Sequence, residues 1–325
     1  MGLKSYILKR TLLMIPTFFA LTIITFFISR LAPGGPLKYF ILGPESQISM
    51  ESYLILSHKY GFDKPLWVQY VTWIKNIFLG DFGTSYANYQ PVTLLMAKRI
   101  IPTLVLTSTS FFLSLIISIP LGIICALKNN SYIDFFARIT TLIGMSMPSF
   151  WEGLLLIYFF ALYLGWFPTL GYQTITSINP TTWESMKDIA WHLFLPALTL
   201  ATGSLVLVTR LVRSTMLDVL RQDYIMTARA KGLKERIVIL KHALRNVLLP
   251  VVTIIGLRIG FLLSGAVIVE TMFAWPGLGT LMIEAVYSRD YPIIMGITML
   301  VGIMVMIANL FTDIIYAYLD PRIRY

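Results

Sequence analysis

The stretch that decides the fold reads IIPTLVLTSTSFFLSLIISIPLGIICAL, residues 100–127, and it contains no charged side chain. A helix needs about 20 mostly apolar residues to cross a bilayer, so this run is long enough for one span. The alternation of apolar and polar residues that marks an outer-membrane strand is absent from it. Inside lipid a segment must satisfy its own backbone hydrogen bonds, and the run therefore predicts a transmembrane helix.

Five other runs have the same character, with at most one charged residue each: Thr11–Ser29, Ile139–Leu164, Ile189–Thr209, Asn246–Val269 and Tyr291–Thr312. Hydrophobic residues make up 57% of the 325 residues and charged residues only 13%, whereas a soluble domain carries about 25% charged residues. The mean hydropathy is +0.75. This composition excludes a soluble enzyme, a disordered chain and, with Cys125 as the single cysteine, a disulfide scaffold. We predict an all-α, polytopic membrane protein with six transmembrane helices.

The net charge of +10 is spread unevenly between the apolar runs. Residues 128–138 and 210–246 hold two and nine Lys or Arg, whereas 165–190 and 270–290 hold one each. Because short basic loops remain in the cytoplasm, this pattern predicts that 128–138 and 210–246 face the cytoplasm, together with both termini. The basic excess thus reports topology in a lipid bilayer. It does not indicate nucleic acid as a partner, since no basic and aromatic nucleic-acid signature accompanies it.

The predicted spans divide the chain into three sections. Residues 1–31 form an N-terminal cytoplasmic stretch and the first helix, which we interpret as a retained signal anchor. Residues 32–99 form an extracytoplasmic insertion, with one helix predicted from Ser49 to Tyr60, a second from Leu66 to Leu79 and a turn after it. Residues 100–325 form a five-helix core with the cytoplasmic loop 210–246. The insertion is either a solvated connection or a contact surface for an external partner.

Residues 223–232 of the cytoplasmic loop read DYIMTARAKG. Asp223 is the predicted N-cap of a two-turn helix and Gly232 the predicted residue after its C-cap. Such a short helix is marginal in water without packing. Two small side chains leave room for an approaching surface and two basic ones suit acidic groups: Ala228, Ala230, Arg229 and Lys231. The stretch predicts either a docking helix for another protein or an amphipathic helix on lipid headgroups.

The segment Asp223–Leu233, followed by Lys241–Asn246 and Leu249-Pro250, resembles the EAA loop of ABC importer permeases. The branch that it resembles is the peptide/nickel branch, with its dipeptide and oligopeptide permease B-type subunits. Further matches lie along the chain at Gly61–Trp67 (GFDKPLW), Gly80–Ser85 (GDFGTS), Trp275–Gly279 (WPGLG), Asp290–Pro292 (DYP) and Leu319–Tyr325 (LDPRIRY). The broader motif begins Glu-Ala-Ala, but Met226-Thr227-Ala228 stands there, so the glutamate contact of the family does not carry over.

The resemblance implies the type I ABC importer permease fold and a coupling helix around Thr227–Gly232 that docks in a groove of a separate ATPase subunit. The residues assigned to this docking helix are Asp223, Tyr224, Thr227, Ala228, Arg229, Ala230, Lys231 and Gly232. The chain itself lacks the phosphate loop G-x-x-x-x-G-K-[ST], of which only Lys4-Ser5 matches the last two positions. We therefore expect a transport subunit that is not an enzyme and has no cofactor, with ATP bound by its partner subunits.

The partners that the resemblance implies are a second homologous permease subunit, two ABC ATPase subunits and an extracytoplasmic substrate-binding protein, all at a prokaryotic cytoplasmic (inner) membrane. The cargo it implies is a di- or oligopeptide. Nickel or its chelate, and an oligosaccharide, are the alternatives that the same machinery leaves open.

The candidates for the pathway or gate are one charged residue within a span and one outer turn. Arg258 lies in the middle of a predicted helix, where a charge either pairs, for example with Asp313, or lines a wet cavity. Helix-breaking residues follow the same helix: Trp275, Pro276, Gly277 and Gly279. We predict no metal site.

Two other classes of function compete with this interpretation. An ion-coupled secondary transporter would use Glu152, Asp313 or Arg258 as coupling groups, but we see no clear inverted repeat, and the nine basic residues of the loop then go unexplained. An intramembrane enzyme needs a nucleophile and a base, or metal ligands, within the bilayer. The three histidines fall at different levels of the predicted topology: His58, His192 and His242.

Overall fold

The computed structural model describes residues 3–31, 50–174 and 181–319. The helices of the first half are α1 (Leu3–Leu31), α2 (Met50–Lys59), α3 (Leu66–Phe78), α4 (Val92–Leu127), α5 (Tyr132–Ser146) and α6 (Ser149–Leu156), which continues as a π-helix (Ile157–Tyr163). The helices of the second half are α7 (Thr182–Leu220), α8 (Asp223–Ala230), a single turn (Glu235–Ile237), a π-helix (Val238–Ala243), α9 (Leu244–Met272), α10 (Leu278–Ser288) and α11 (Tyr291–Leu319). The all-α prediction is confirmed for the described residues.

Four helices in the described ranges are long and apolar enough to cross a membrane, and they contain four of the six predicted runs: Ser5–Leu31, Val92–Leu127, Thr182–Leu220 and Tyr291–Ile315. A fifth span is possible if α5 and the helix that begins with α6 are taken together. The remaining predicted run, Asn246–Val269, lies within the 29 residues of α9. Several long apolar helices therefore form this protein, as the composition predicts.

The predicted span Ile139–Leu164 is not one continuous helix in the structure. The chain bends by 114° between α5 and α6, and the break falls at Met147 and Pro148, which adopt extended conformations with ψ of 133° and 141°. A proline clashes with the helical conformation of the residue before it. Pro148 therefore ends α5 and is accommodated ahead of the first turn of α6, where its missing N–H costs nothing.

The chain divides into two compact units, interleaved in sequence. The central unit comprises Met1–Ile7, Leu104–Trp275 and Ile307–Tyr325. In it α7 packs along α9 and against both α5 and α6. Its close packing is visible at Gly256, where an added Cβ would lie 1.7 Å from a methyl carbon of Thr312. Only glycine allows this approach, because an atom placed there overlaps a β-branched side chain that has little freedom to move.

The flanking unit comprises Leu8–Thr103 and Pro276–Met306. It contains α2 and α3, which the sequence predicts at nearly the observed bounds, although Ser49 lies outside the described residues. The hydroxyl oxygens of Thr22 on α1 and Tyr70 on α3 lie 2.9 Å apart. The predicted turn after α3 is confirmed by the positive φ angles of Gly80 (78°) and Gly83 (83°), a region that glycine enters without steric cost.

Two sequence motifs meet inside the flanking unit. The Ser85 hydroxyl, in the GDFGTS stretch, donates to Oδ2 of Asp290, at the start of the DYP stretch, over 2.5 Å. The backbone N–H of Ala87 donates to the same oxygen at 3.1 Å, and the Asn88 N–H donates to the Ser85 oxygen at 3.0 Å. Asp290 is completely buried. These bonds compensate part of the cost of burying its carboxylate.

Candidate functional site

Helix α8 begins one residue earlier than the sequence predicts, at Asp223. Gln222, in an extended conformation, is the N-cap, and its carbonyl accepts hydrogen bonds from the N–H groups of Ile225 and Met226 at 3.0 and 3.3 Å. The prediction that Asp223 is the N-cap is therefore wrong. Asp223 instead occupies the first turn, where its negative charge still interacts favourably with the helix dipole. Its carbonyl accepts a hydrogen bond from the Thr227 hydroxyl at 2.9 Å.

The predicted end of α8 is confirmed. Lys231 is the C-cap, and Gly232 follows it with φ of +74°. The Gly232 N–H donates to the carbonyl of Arg229 at 2.9 Å, so the left-handed residue closes the last turn. Apart from Gly232 and its two chain neighbours, the described residues place no heavy atom within 4 Å of the position that a Cβ on Gly232 would occupy. Glycine is favoured there by backbone conformation, and not by lack of space.

One face of α8 is buried in the core of the central unit. Ile225 is completely buried and Ala228 is 6% exposed, and both belong to a cluster with Val212, Met216 and Val238. Their spacing of three residues places both on one side of the helix. The surface that approaches Ala228 is thus the chain's own core, while Ala230 remains exposed. Burial of an isoleucine side chain stabilises such a contact by about 1.5–3 kcal/mol.

A hydrogen bond ties α8 to the beginning of α9. The side-chain amide of Asn246 donates to the Tyr224 hydroxyl over 2.6 Å. The two residues lie 22 positions apart, in the two parts of the loop motif that the sequence singles out. This bond adds a polar attachment to the apolar one made by Ile225.

A third attachment is an ion pair within the loop. The guanidinium of Arg229 donates two hydrogen bonds to Glu235, from Nη2 to Oε1 at 2.6 Å and from Nε to Oε2 at 3.2 Å. The acidic group that Arg229 meets is therefore part of its own chain. The pair lowers the pKa of Glu235 and raises the pKa of Arg229, chiefly through these hydrogen bonds. Bidentate geometry of this kind fixes the relative orientation of the two side chains.

The remaining face of α8 is open. We call the exposed residues Met226, Thr227, Ala230, Lys231 and Gly232 the docking surface. Met226 is 55% exposed, and the only positive side chain of the docking surface is Lys231. The loop thus presents a short apolar and basic surface on a helix that is held on its other sides.

The gate candidates occupy a break between helices. Trp275 is completely buried, and its ring lies edge-on to Tyr172 with 4.8 Å between the ring centroids. Pro276 precedes Gly277, which is the N-cap of α10. Gly279 lies in the first turn of α10 and is buried, so the helix break is shorter than the predicted WPGLG turn. Arg258 belongs to α9, but its side chain lies outside the part of the chain that the structure describes.

Comparison with known proteins accounts for nearly the whole chain. Residues 118–325 match the family described as binding-protein-dependent transport system inner membrane component, and residues 3–107 match the corresponding N-terminal family. The chain belongs to this family of inner membrane components. The resemblance to ABC importer permeases that its motifs predict is confirmed, and the chain is a multi-pass protein of the inner membrane.

Full-length relatives of this inner membrane component carry names of peptide transport systems. It is 45% identical to the oligopeptide transport system permease protein AppB of Bacillus subtilis over 99% of this chain and 100% of that protein. It is 40% identical to the dipeptide transport system permease protein DppB of Escherichia coli K12 over 99% of both chains.

A solved structure shares the fold of this inner membrane component. A chain of the MetNI methionine ABC transporter, in an inward-facing conformation, matches with a TM-score of 0.56 at 18% identity, over 70% of this chain and 97% of that one. The likeness supports the type I permease fold that the sequence predicts.

The sequence analysis missed one charged cluster of this permease. Asp134 on α5 is completely buried, and it accepts hydrogen bonds from Nε and Nη2 of Arg213 on α7 at 2.5 and 2.9 Å. The N–H of Asn130 also donates to Asp134, and Arg138 lies 3.5 Å away. The available signal was Ser131, three residues before Asp134, which caps α5. The pair joins α5 to the last part of α7, ten residues before α8.

Proposed function

We propose that this permease forms half of the translocation pathway of an ABC importer for di- and oligopeptides, and that α8 couples the pathway to separate ATPase subunits. The names and full-length similarity of AppB and DppB support the peptide cargo. The partners in this proposal are a second homologous permease subunit, two ABC ATPase subunits and an extracytoplasmic substrate-binding protein. Both termini and the loops 128–138 and 210–246 face the cytoplasm.

The main support for the proposal is the set of contacts that attach α8 to the rest of the central unit. Ile225 and Ala228 fix one face in the core, the Tyr224–Asn246 bond ties it to α9, and the Arg229–Glu235 pair closes the loop after it. A displacement of the docking surface should therefore be transmitted to α7 and α9 through these packed side chains. A helix on a flexible loop without such contacts would not transmit it. Burial of its apolar face within the chain also argues against a helix that rests that face on lipid.

In this proposal, ATP-driven movement of the ATPase subunits biases a two-state helix bundle between inward and outward access. Such a bias requires that the docking surface makes different contacts in the two states. This chain supplies half of the translocation pathway and the coupling helix α8, and the partner subunits bind and hydrolyse ATP.

A cross-linking experiment tests the docking. A Met226→Cys variant, assembled with its ATPase and permease partners, should cross-link to an ATPase subunit through a short bifunctional reagent. Tyr287→Cys on α10 is the matched control, since Tyr287 is 86% exposed and lies at the opposite side of the proposed topology. The native Cys125 is buried, so wild-type protein gives the background. Cross-linking from Tyr287→Cys and none from Met226→Cys would overturn the proposal.

A transport experiment tests the cargo. Proteoliposomes that contain the complete importer should accumulate a labelled dipeptide in the presence of ATP and the binding protein. Accumulation of a nickel chelate or an oligosaccharide, without peptide uptake, would show that the importer carries that cargo and would contradict the peptide proposal. Peptide accumulation that needs an ion gradient, and neither ATP nor partner subunits, would favour a secondary transporter.

A further inference from the structure

Three of the sequence motifs that the coupling function leaves unused surround one cavity in the flanking unit. The cavity has a volume of about 300 Å³. Its walls come from the end of α1, the GFDKPLW stretch, α3, the GDFGTS stretch and the start of α11. This volume lies at the lower end of the range for small-ligand sites. The convergence of separate segments on one space distinguishes the cavity from the grooves between adjacent apolar helices.

Arg30 is a cationic group of this cavity that packs against aromatic rings. Its guanidinium carbon lies 4.6 Å from the centroid of the Phe62 ring and 5.0 Å from that of Phe26. Aromatic faces stabilise the cation but offer it no carboxylate. The Nε of Arg30 is buried and has no hydrogen-bond partner within the described ranges. A buried donor without a partner costs about 1–3 kcal/mol, which a ligand acceptor would offset.

A free acceptor lies close to the same aromatic residue. Gln69 on α3 donates from Nε2 to the carbonyl oxygens of Phe62 and Lys64, at 3.2 and 2.7 Å. These two bonds fix the orientation of the amide. They leave Gln69 Oε1 buried and, among the residues described, without a partner. Phe62 thus has the unpaired donor of Arg30 above its ring and the amide of Gln69 at its carbonyl.

The other charges of the lining leave Arg30 available. Asp81 and Lys64 also line the cavity, and Oδ1 of Asp81 accepts a hydrogen bond from the N–H of Gly83 at 2.8 Å. Burial raises the pKa of Tyr60 and of Tyr86. Both tyrosines therefore remain neutral phenols at neutral pH and do not neutralise the guanidinium.

We propose that this cavity binds the C-terminal end of a short peptide, with its carboxylate on Arg30 and an N–H group on Gln69. The terminal residue of a peptide carries an anionic acceptor and an amide donor, which are the two kinds of partner that Arg30 Nε and Gln69 Oε1 lack among the described residues. A phosphate or an isolated acidic side chain supplies the acceptor without that neighbouring donor. The ring of Trp73, which also lines the cavity, offers an apolar wall for the terminal side chain.

The identity of the guest rests on the proposed peptide importer, so binding and transport must be measured separately. The probes are alanyl-phenylalanine and its C-terminal amide, and binding is measured on the complex of both permeases and the ATPases, without the binding protein. Wild-type complex should bind the acid at least tenfold more tightly than the amide. Arg30→Met should reduce this preference to less than twofold. Lys75→Met, which removes an exposed charge from α3 outside the cavity lining, should retain it.

Each other outcome contradicts the site. Equal binding of acid and amide by wild type, or an unchanged preference in Arg30→Met, would overturn it, and ATP-driven peptide uptake in the same preparation would show that the importer function still stands. A phospholipid that co-purifies with wild type and is lost from Arg30→Met would assign the cavity to lipid. If Arg30→Met does not assemble, Arg30→Lys is measured in its place. It should lower the preference for the acid over the amide at least threefold, because lysine lacks the planar guanidinium. An unchanged preference would contradict the proposal.

Discussion

The hydroxyl of Ser85 donates a hydrogen bond to the buried carboxylate of Asp290, which lies 205 positions further along the chain. The bond connects the loop after α3 with the start of α11. Oδ1 of the same carboxylate has no hydrogen-bond partner within the described residues. The Ser85 bond is therefore one of few interactions that compensate a buried charge.

Replacing Ser85 with alanine should destabilise the flanking unit. A hydrogen bond to a charged group contributes about 1.5–3 kcal/mol, and the variant leaves the Asp290 carboxylate with less compensation. The thermal unfolding midpoint in detergent should fall by several degrees. Ser108→Ala is the control, because the exposed Ser108 hydroxyl bonds only to carbonyls of its own helix. Equal midpoints for the two variants would show that the Ser85 bond contributes nothing.

Replacing Gly232 with valine should reduce both transport and the stimulated ATP hydrolysis of the complex. The left-handed conformation at φ of +74° costs a β-branched residue about 1–2 kcal/mol or more, so the end of α8 should shift. Gly165→Val is a matched control, since Gly165 has φ of +64° and equally open surroundings. Both variants should lose similar stability, but only Gly232→Val should lose transport and stimulated ATPase activity. Full transport by Gly232→Val would refute the docking geometry.

Removing the charge of Glu235 should loosen the loop in a pH-dependent way. The pKa of Glu235 is lowered in the folded protein by its hydrogen bonds with Arg229, so the pair stabilises the loop above the ordinary pKa of about 4.5 and is lost as the pH falls through the lowered value. At pH 7, residues 228–236 of Glu235→Gln should exchange amide hydrogens up to about fivefold faster than wild type, since an exposed pair contributes about 0.2–1 kcal/mol. The two proteins should converge once the pH falls below the lowered pKa of Glu235. A difference that appears only between pH 6 and 8 would contradict this assignment.

Replacing Asp134 with asparagine should be the most destabilising of these changes. Loss of one partner leaves the other charge of a buried pair uncompensated, at a cost of about 3 kcal/mol or more. Arg138→Gln is the control, because Arg138 is half exposed and lies 3.5 Å from the carboxylate. Its removal should change stability by less than about 1 kcal/mol. Both are measured as unfolding midpoints of the purified complex, and similar midpoints would assign Asp134 no special role.

Local signals predicted much of this fold. Long apolar runs gave the helices, and the turn residues Gly80, Gly83 and Gly232 lie at positive φ as their positions require. The sharp bend at Pro148 is the part of the fold that the sequence analysis did not predict. Hydropathy averaged over a window does not register a single proline, so the sequence predicted one span where the chain turns through 114°.

Long-range pairs were out of reach for pattern reasoning. The sequence identified the basic loop but not that Arg229 binds Glu235, because both side chains also suit contacts with another protein. It found the GDFGTS and DYP stretches without placing Ser85 beside Asp290. A single sequence carries periodicity and local caps, whereas the pairing of residues 205 positions apart is fixed by tertiary packing.

The discontinuity of the flanking unit bears on the order in which the protein is made. Residues 8–103 leave the ribosome well before residues 276–306, to which they must attach. The hydrogen bond between Ser85 and Asp290 can therefore form only after the residues between them have been synthesised and inserted. Contacts of such long sequence separation form slowly. A nascent chain stopped before residue 276 should hold an unfinished flanking unit that is open to proteases and quality control.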